Sequence, residues 1–139
     1  SRGLGDVYKR QTERIFKNII LTQVALFVTL IAFGIADESA NPVNEDLSFN
    51  LIDSIFLIWF IGYIISIILL YKFKSLGKKL FVLIFILGFI TSLFEGQDSF
   101  TIEFSSFTPV ISAIENLLYV VDGIILATLY FTSIKEKFD

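Results

Sequence analysis

Four stretches of this chain are apolar for long enough to cross a bilayer, and no other feature restricts its fold as strongly. They cover about residues 15–36, 51–73, 76–94 and 109–134. A hydrocarbon core about 30 Å thick takes roughly 20 helical residues. The first run, preceded by Arg14 and Lys17, also has the look of a signal sequence. Signal cores run to about 7–15 residues, and this run is longer, so a retained span is expected. The third is the shortest and needs Lys78 and Lys79 to snorkel at its start. Thr108 can cap the fourth, with Pro109 as its first helical residue. The expected fold is all-α: a polytopic membrane protein with four transmembrane helices in an antiparallel bundle.

Composition agrees with that reading and narrows the chemistry. Hydrophobic residues make up 55% of the 139 positions, charged residues 18%, and mean hydropathy is +0.76. A soluble domain carries more charge. One domain is expected at this length. The chain has no His and no Cys, which removes the usual ligands of zinc, haem and copper and the commonest general base near neutral pH. No cofactor is expected. The lysines form no separate basic face, so no nucleic-acid partner is expected either.

The charges are sorted by loop. Arg14 and Lys17 precede the first run; Lys72, Lys74, Lys78 and Lys79 fall between the second and third; Lys135 and Lys137 follow the fourth. The other two loops hold Asp37, Glu38, Glu45, Asp46, Glu95, Asp98 and Glu103 and no basic residue. The positive-inside rule then puts both termini in the cytoplasm and two acidic loops outside. Asn41 and Pro42 break the first outer loop. In the second, Phe100, Ile102 and Phe104 alternate as an extended strip would.

Ser1 to Gln11, SRGLGDVYKRQ, differs in character from everything after it. Back-translated with one legitimate codon per residue, it resembles the adapter of transposase-based sequencing libraries over its whole length. On that reading residues 1–11 are not native, residues 12–139 are a single four-span domain, and the natural start lies upstream of Thr12. The remainder then carries a formal charge of −5 instead of −3.

In lipid, helices associate through small residues that let backbones approach and through polar side chains that bond across the interface. One such stripe is expected per span. On the first it is Asn18, Thr22, Ala25, Thr29, Ala32 and Ala36, with Gln23 off the stripe as a sign of a second contact face such as an oligomer interface. On the second it is Trp59, Gly62, Tyr63 and Ser66. On the third it is Gly88 and Ser92, flanked by Thr91 and Glu95. On the fourth it is Ser112, Glu115, Asn116, Tyr119, Asp122 and Gly123. Gly62, Ser66, Gly88, Ser92 and Gly123 are the expected packing positions.

Three acids fall inside the spans. Asp53 has a structural explanation, since Asn50 can cap the second helix and place Asp53 in its first turn, at the positive end of the dipole. Glu115 and Asp122 lie about 9 Å and about 20 Å into the fourth at 1.5 Å per residue, with Tyr119 between them. An ionised carboxylate there costs at least about 2.5–3.5 kcal/mol, so each must be protonated, hydrogen-bonded, hydrated or bound to a cation. Tyr63, about 18 Å into the second span, lies near the layer of Asp122. Two roles stand side by side: interhelical hydrogen bonding, or proton or cation binding.

The stretch ENLLYVVDGIILATLYFTSIKEKF resembles the last span of small, uncharacterised bacterial four-span membrane proteins, through Asp122, Gly123, Tyr130, Lys135 and Lys137. The resemblance implies a bacterial inner membrane and brings no activity with it. The first functional expectation is a non-enzymatic structural, accessory or sensory module, self-associating or attached to a larger membrane complex. The alternative is a proton- or cation-coupled carrier or channel using Glu115 and Asp122, oriented by Tyr119 and Tyr63. A membrane enzyme ranks last, because no nucleophile and base pair is recognisable.

Overall fold

A computed structural model describes residues 2–40, 51–95 and 108–138, and among these residues every regular element is helical. The elements are α1 (Arg2–Ala40), α2 (Leu51–Tyr71), α3 (Ser75–Glu95), α4 (Thr108–Phe131) and a short 3-10 helix, Ser133–Lys137. Two of the helices, α1 and α4, are long and apolar enough to cross a membrane. Helices α2 and α3 have 21 residues each, about 31 Å at 1.5 Å per residue. The adapter-like residues from Arg2 onward simply continue α1. The acidic loop residues from Asn41 to Asn50 and from Gly96 to Phe107, including the alternating aromatic strip, lie outside the described residues.

Helices α2 and α3 form a tight hairpin. At its turn Phe73 has φ 53°, its amide donates to the Leu70 carbonyl at 3.0 Å, and the Lys74 amide reaches back to the Leu69 carbonyl at 2.9 Å. This is a Schellman ending, in which the left-handed position is usually glycine. A phenylalanine there costs about 1–2 kcal/mol of backbone strain. The compensation is in its ring, which packs 5.8 Å from Phe16 and 5.5 Å from Phe138, centroid to centroid. Just beyond the turn, a Cβ on Gly77 would sit 2.8 Å from backbone atoms of Leu69 and Leu70. Only glycine lets the two backbones close so near the turn. Farther along, the Trp59 indole lies against Gly88 and donates to the Ile84 carbonyl at 3.1 Å.

Helix α4 ends three residues before the expected boundary at Ile134. Thr132 is extended (φ −117°, ψ 171°), and its hydroxyl donates to the Thr128 carbonyl and accepts from the Ile134 amide. That local bonding stops the helix. The chain then turns Ile134 and Phe138 into the core, where Phe138 meets Phe16 edge-on at 5.9 Å. The base of the fold is therefore aromatic, and a basic rim surrounds it. Lys17 lies over the rings of Tyr71 and Phe73, Lys78 lies over Tyr130, and Lys137 pairs with Glu13 at 2.8 Å.

Two of the expected stripes need correcting. On α1, Asn18, Thr22, Ala25, Thr29, Ala32 and Ala36 all face outward. The Thr22 and Thr29 hydroxyls bond the carbonyls of Asn18 and Ala25 one turn back, so they need no neighbouring helix. The face that packs is Phe16, Ile20 and Gln23, continued by the half-buried Phe27. On α4, Ser112, Glu115, Asn116, Tyr119 and Gly123 face outward, and the buried set is Ile114, Leu118, Asp122, Ile125 and Leu129. Among the described residues a Cβ on Gly123 would meet nothing within 4 Å.

Candidate functional site

The polar centre of the fold lies where α1, α2 and α4 converge. Gln23 is fully buried there, and its amide Nε2 donates to the Tyr63 hydroxyl at 2.5 Å and to Asp122 Oδ1 at 2.7 Å. The Leu118 carbonyl lies 3.3 Å from the same nitrogen. Tyr63 in turn donates its hydroxyl hydrogen to Asp122 Oδ1 at 3.0 Å. One carboxylate oxygen thus takes two donors, and each member of the triad touches both others.

Surrounding rings hold the triad in place. Trp59 stacks on Tyr63 at 5.4 Å with 18° between planes, and Phe27 lies 5.2 Å from it on the α1 side. Gly88 matters through this arrangement, because a side chain there would strike the indole that positions Tyr63. Ser66 is buried beside the triad, and its hydroxyl donates to the Tyr63 carbonyl at 2.7 Å. Gly62 lies under the tip of the Ile84 side chain.

The donors and acceptors do not balance. An amide nitrogen has two hydrogens, and three acceptors surround this one. The Gln23 carbonyl oxygen, Oε1, is buried and has no donor among the described residues. A buried acceptor without a donor costs about 1–3 kcal/mol. The triad therefore offers one position to a donor from outside itself. It has the groups to hold or pass a proton.

The expected residues fall into three groups. Asp122 and Tyr63 meet. Glu115 and Tyr119 do not join them: both are exposed on α4. Asp53 and Ser92, with Thr91 and Glu95, have side chains outside the described residues, although their backbones are helical. At about 100° per residue the two acids stand only about 20° apart around α4, so helical register alone does not separate them.

Gln23 is the member that the stripe argument assigned elsewhere. A signal was present, since Phe16, Ile20, Gln23 and Phe27 follow the 4-3-4 spacing of a packed seam. In a run that is apolar on every side, that register competes with several others. No protein-family model, no curated protein and no solved structure matches the chain.

Proposed function

We propose that the chain is a four-span integral protein of a bacterial inner membrane, with both termini cytoplasmic, acting as a non-enzymatic structural, accessory or sensory module. The Gln23–Tyr63–Asp122 triad carries this reading. Three polar side chains from three helices use one another as partners at one depth, which is how polar groups tie helices together in lipid. The outward faces support the membrane part. Val28, Ile35, Ile58 and Leu83 are each about 60% exposed or more, and water would oppose so much apolar surface.

A second reading is favoured by one observation. Asp122 has no basic partner among the described residues, and the adjacent Gln23 Oε1 has no donor there. A proton-coupled carrier would need such a site, with Asp122 as the proton-binding group.

Infrared spectra in lipid from about pH 4 to about pH 9, with Asp122→Asn to assign the carboxyl signal, separate the two. A structural triad gives an Asp122 signal that does not change across the range, and Asp122→Asn keeps the fold. A carboxyl band that disappears on titration, together with loss of a cellular phenotype in Asp122→Asn, would replace the first reading with the second.

A further inference from the structure

Helices α1 and α2 are separated by a groove of about 190 Å³. Ile20 and Ile67 are buried and make its floor; Leu21 and Val24 on one side and Ile68 on the other make its walls. No polar side chain interrupts this lining until the end, where Tyr71 and Lys72 close it. From Val24 down to Ile20 the groove lining runs about 6 Å along the α1 axis, at 1.5 Å per residue, and Lys17 stands about one turn below it.

Its closed end is cationic. Lys17 stands 5.0 Å over the Tyr71 ring and 5.4 Å from that of Phe73, which hold its ammonium beside the groove, and Lys72 lines the groove itself. Neither lysine pairs with a carboxylate among the described residues. The nearest acid on the same stretch of α1, Glu13, is engaged by Lys137. An apolar slot parallel to the helices, ending in two unpaired ammonium groups and a tyrosine, has the polarity of one phospholipid: chain above, anionic phosphate below.

We propose that this groove is a binding site for a single anionic glycerophospholipid of the cytoplasmic leaflet. An acyl chain lies on Ile20 and Ile67, and the phosphate accepts from Lys17 and Lys72. The assignment rests on the four-span membrane reading. A zwitterionic lipid would fill the apolar part equally well, but its own ammonium would oppose the lysines. The site therefore selects by headgroup charge.

The test is native mass spectrometry of the full chain in mild detergent, titrated with phosphatidylglycerol or with phosphatidylcholine of the same chain length. One retained phosphatidylglycerol is expected. Lys17→Gln and Lys72→Gln should each weaken its retention about fivefold, and the pair about thirtyfold. Lys17→Arg with Lys72→Arg should restore it, which separates lost charge from lost folding. Val24→Trp, which fills the slot and leaves both lysines, should also abolish retention. Lys79→Gln, at an exposed position in the first turns of α3 and outside the groove lining, should change nothing.

Equal retention of the two lipids, or equal effects of Lys79→Gln and Lys72→Gln, would overturn the site. Efficient disulfide formation between two copies carrying Leu21→Cys would overturn it in favour of a second chain in the groove. Release of the wild-type protein from membranes by alkaline carbonate is scored separately. That result sinks the membrane reading itself, whatever the lipid titration gives.

Discussion

Gln23 shows how one side chain decides the state of two others. Without its amide, Tyr63 Oη loses its donor and Asp122 Oδ1 keeps only the hydroxyl of Tyr63. Gln23→Leu should therefore destabilise the fold by about 1–3 kcal/mol, towards the low end if the unfolded chain in lipid finds other partners. Replacing Asp122 as well removes the group left wanting. The double variant Gln23→Leu/Asp122→Leu should be at least about 1 kcal/mol more stable than the two single losses added together. Reversible unfolding in mixed lipid–detergent micelles measures all three, and simple additivity would mean that the triad does not form. Of this site the sequence exposed Asp122 and Tyr63, because depth along a helix follows from residue count. It hid Gln23, because polarity alone does not tell a buried amide from the self-bonded hydroxyls of Thr22 and Thr29.

Among the helices, glycine has four different meanings. At Gly77 an added Cβ would meet backbone, which cannot move without opening the α2–α3 turn. At Gly88 it would meet the indole of Trp59, and at Gly62 the flexible end of Ile84; at Gly123 it would meet nothing among the described residues. Alanine substitutions should rank in that order. Gly77→Ala should cost most, more than about 3 kcal/mol; Gly88→Ala about 1–3 kcal/mol; Gly62→Ala less than that. Gly123→Ala should be neutral or stabilising by up to about 1 kcal/mol. Thermal unfolding of the four variants checks the order, and a Gly123 variant among the worst would show that its face is covered by something other than the described residues. The apolar runs made the helix positions legible. The small-residue pattern did not make the contacts legible, since Gly62 and Gly88 each accommodate a single side chain and Gly77 lies outside any repeated spacing. Helix ends were hidden for a similar reason: Thr132 stops α4, and Phe73 ends α2, through local backbone bonding that hydropathy does not register.

Across the whole molecule, the basic residues gather at the end closed by Phe16, Phe73 and Phe138. On the proposed topology of four spans with both termini cytoplasmic, thiols introduced at Asn41 and Ser99 should react with an impermeant reagent on intact cells. A thiol at Ser75 should react only after lysis. The opposite pattern would invert the protein, and reaction at all three would remove the four-span reading. The triad also has a consequence for ancestry. Its members are 40, 59 and 99 residues apart in pairs, yet a change at one removes a hydrogen-bond partner from each of the other two. Lineages descending from a common gene should therefore keep positions 23, 63 and 122 together or exchange them together, and a drift confined to one of them should be rare.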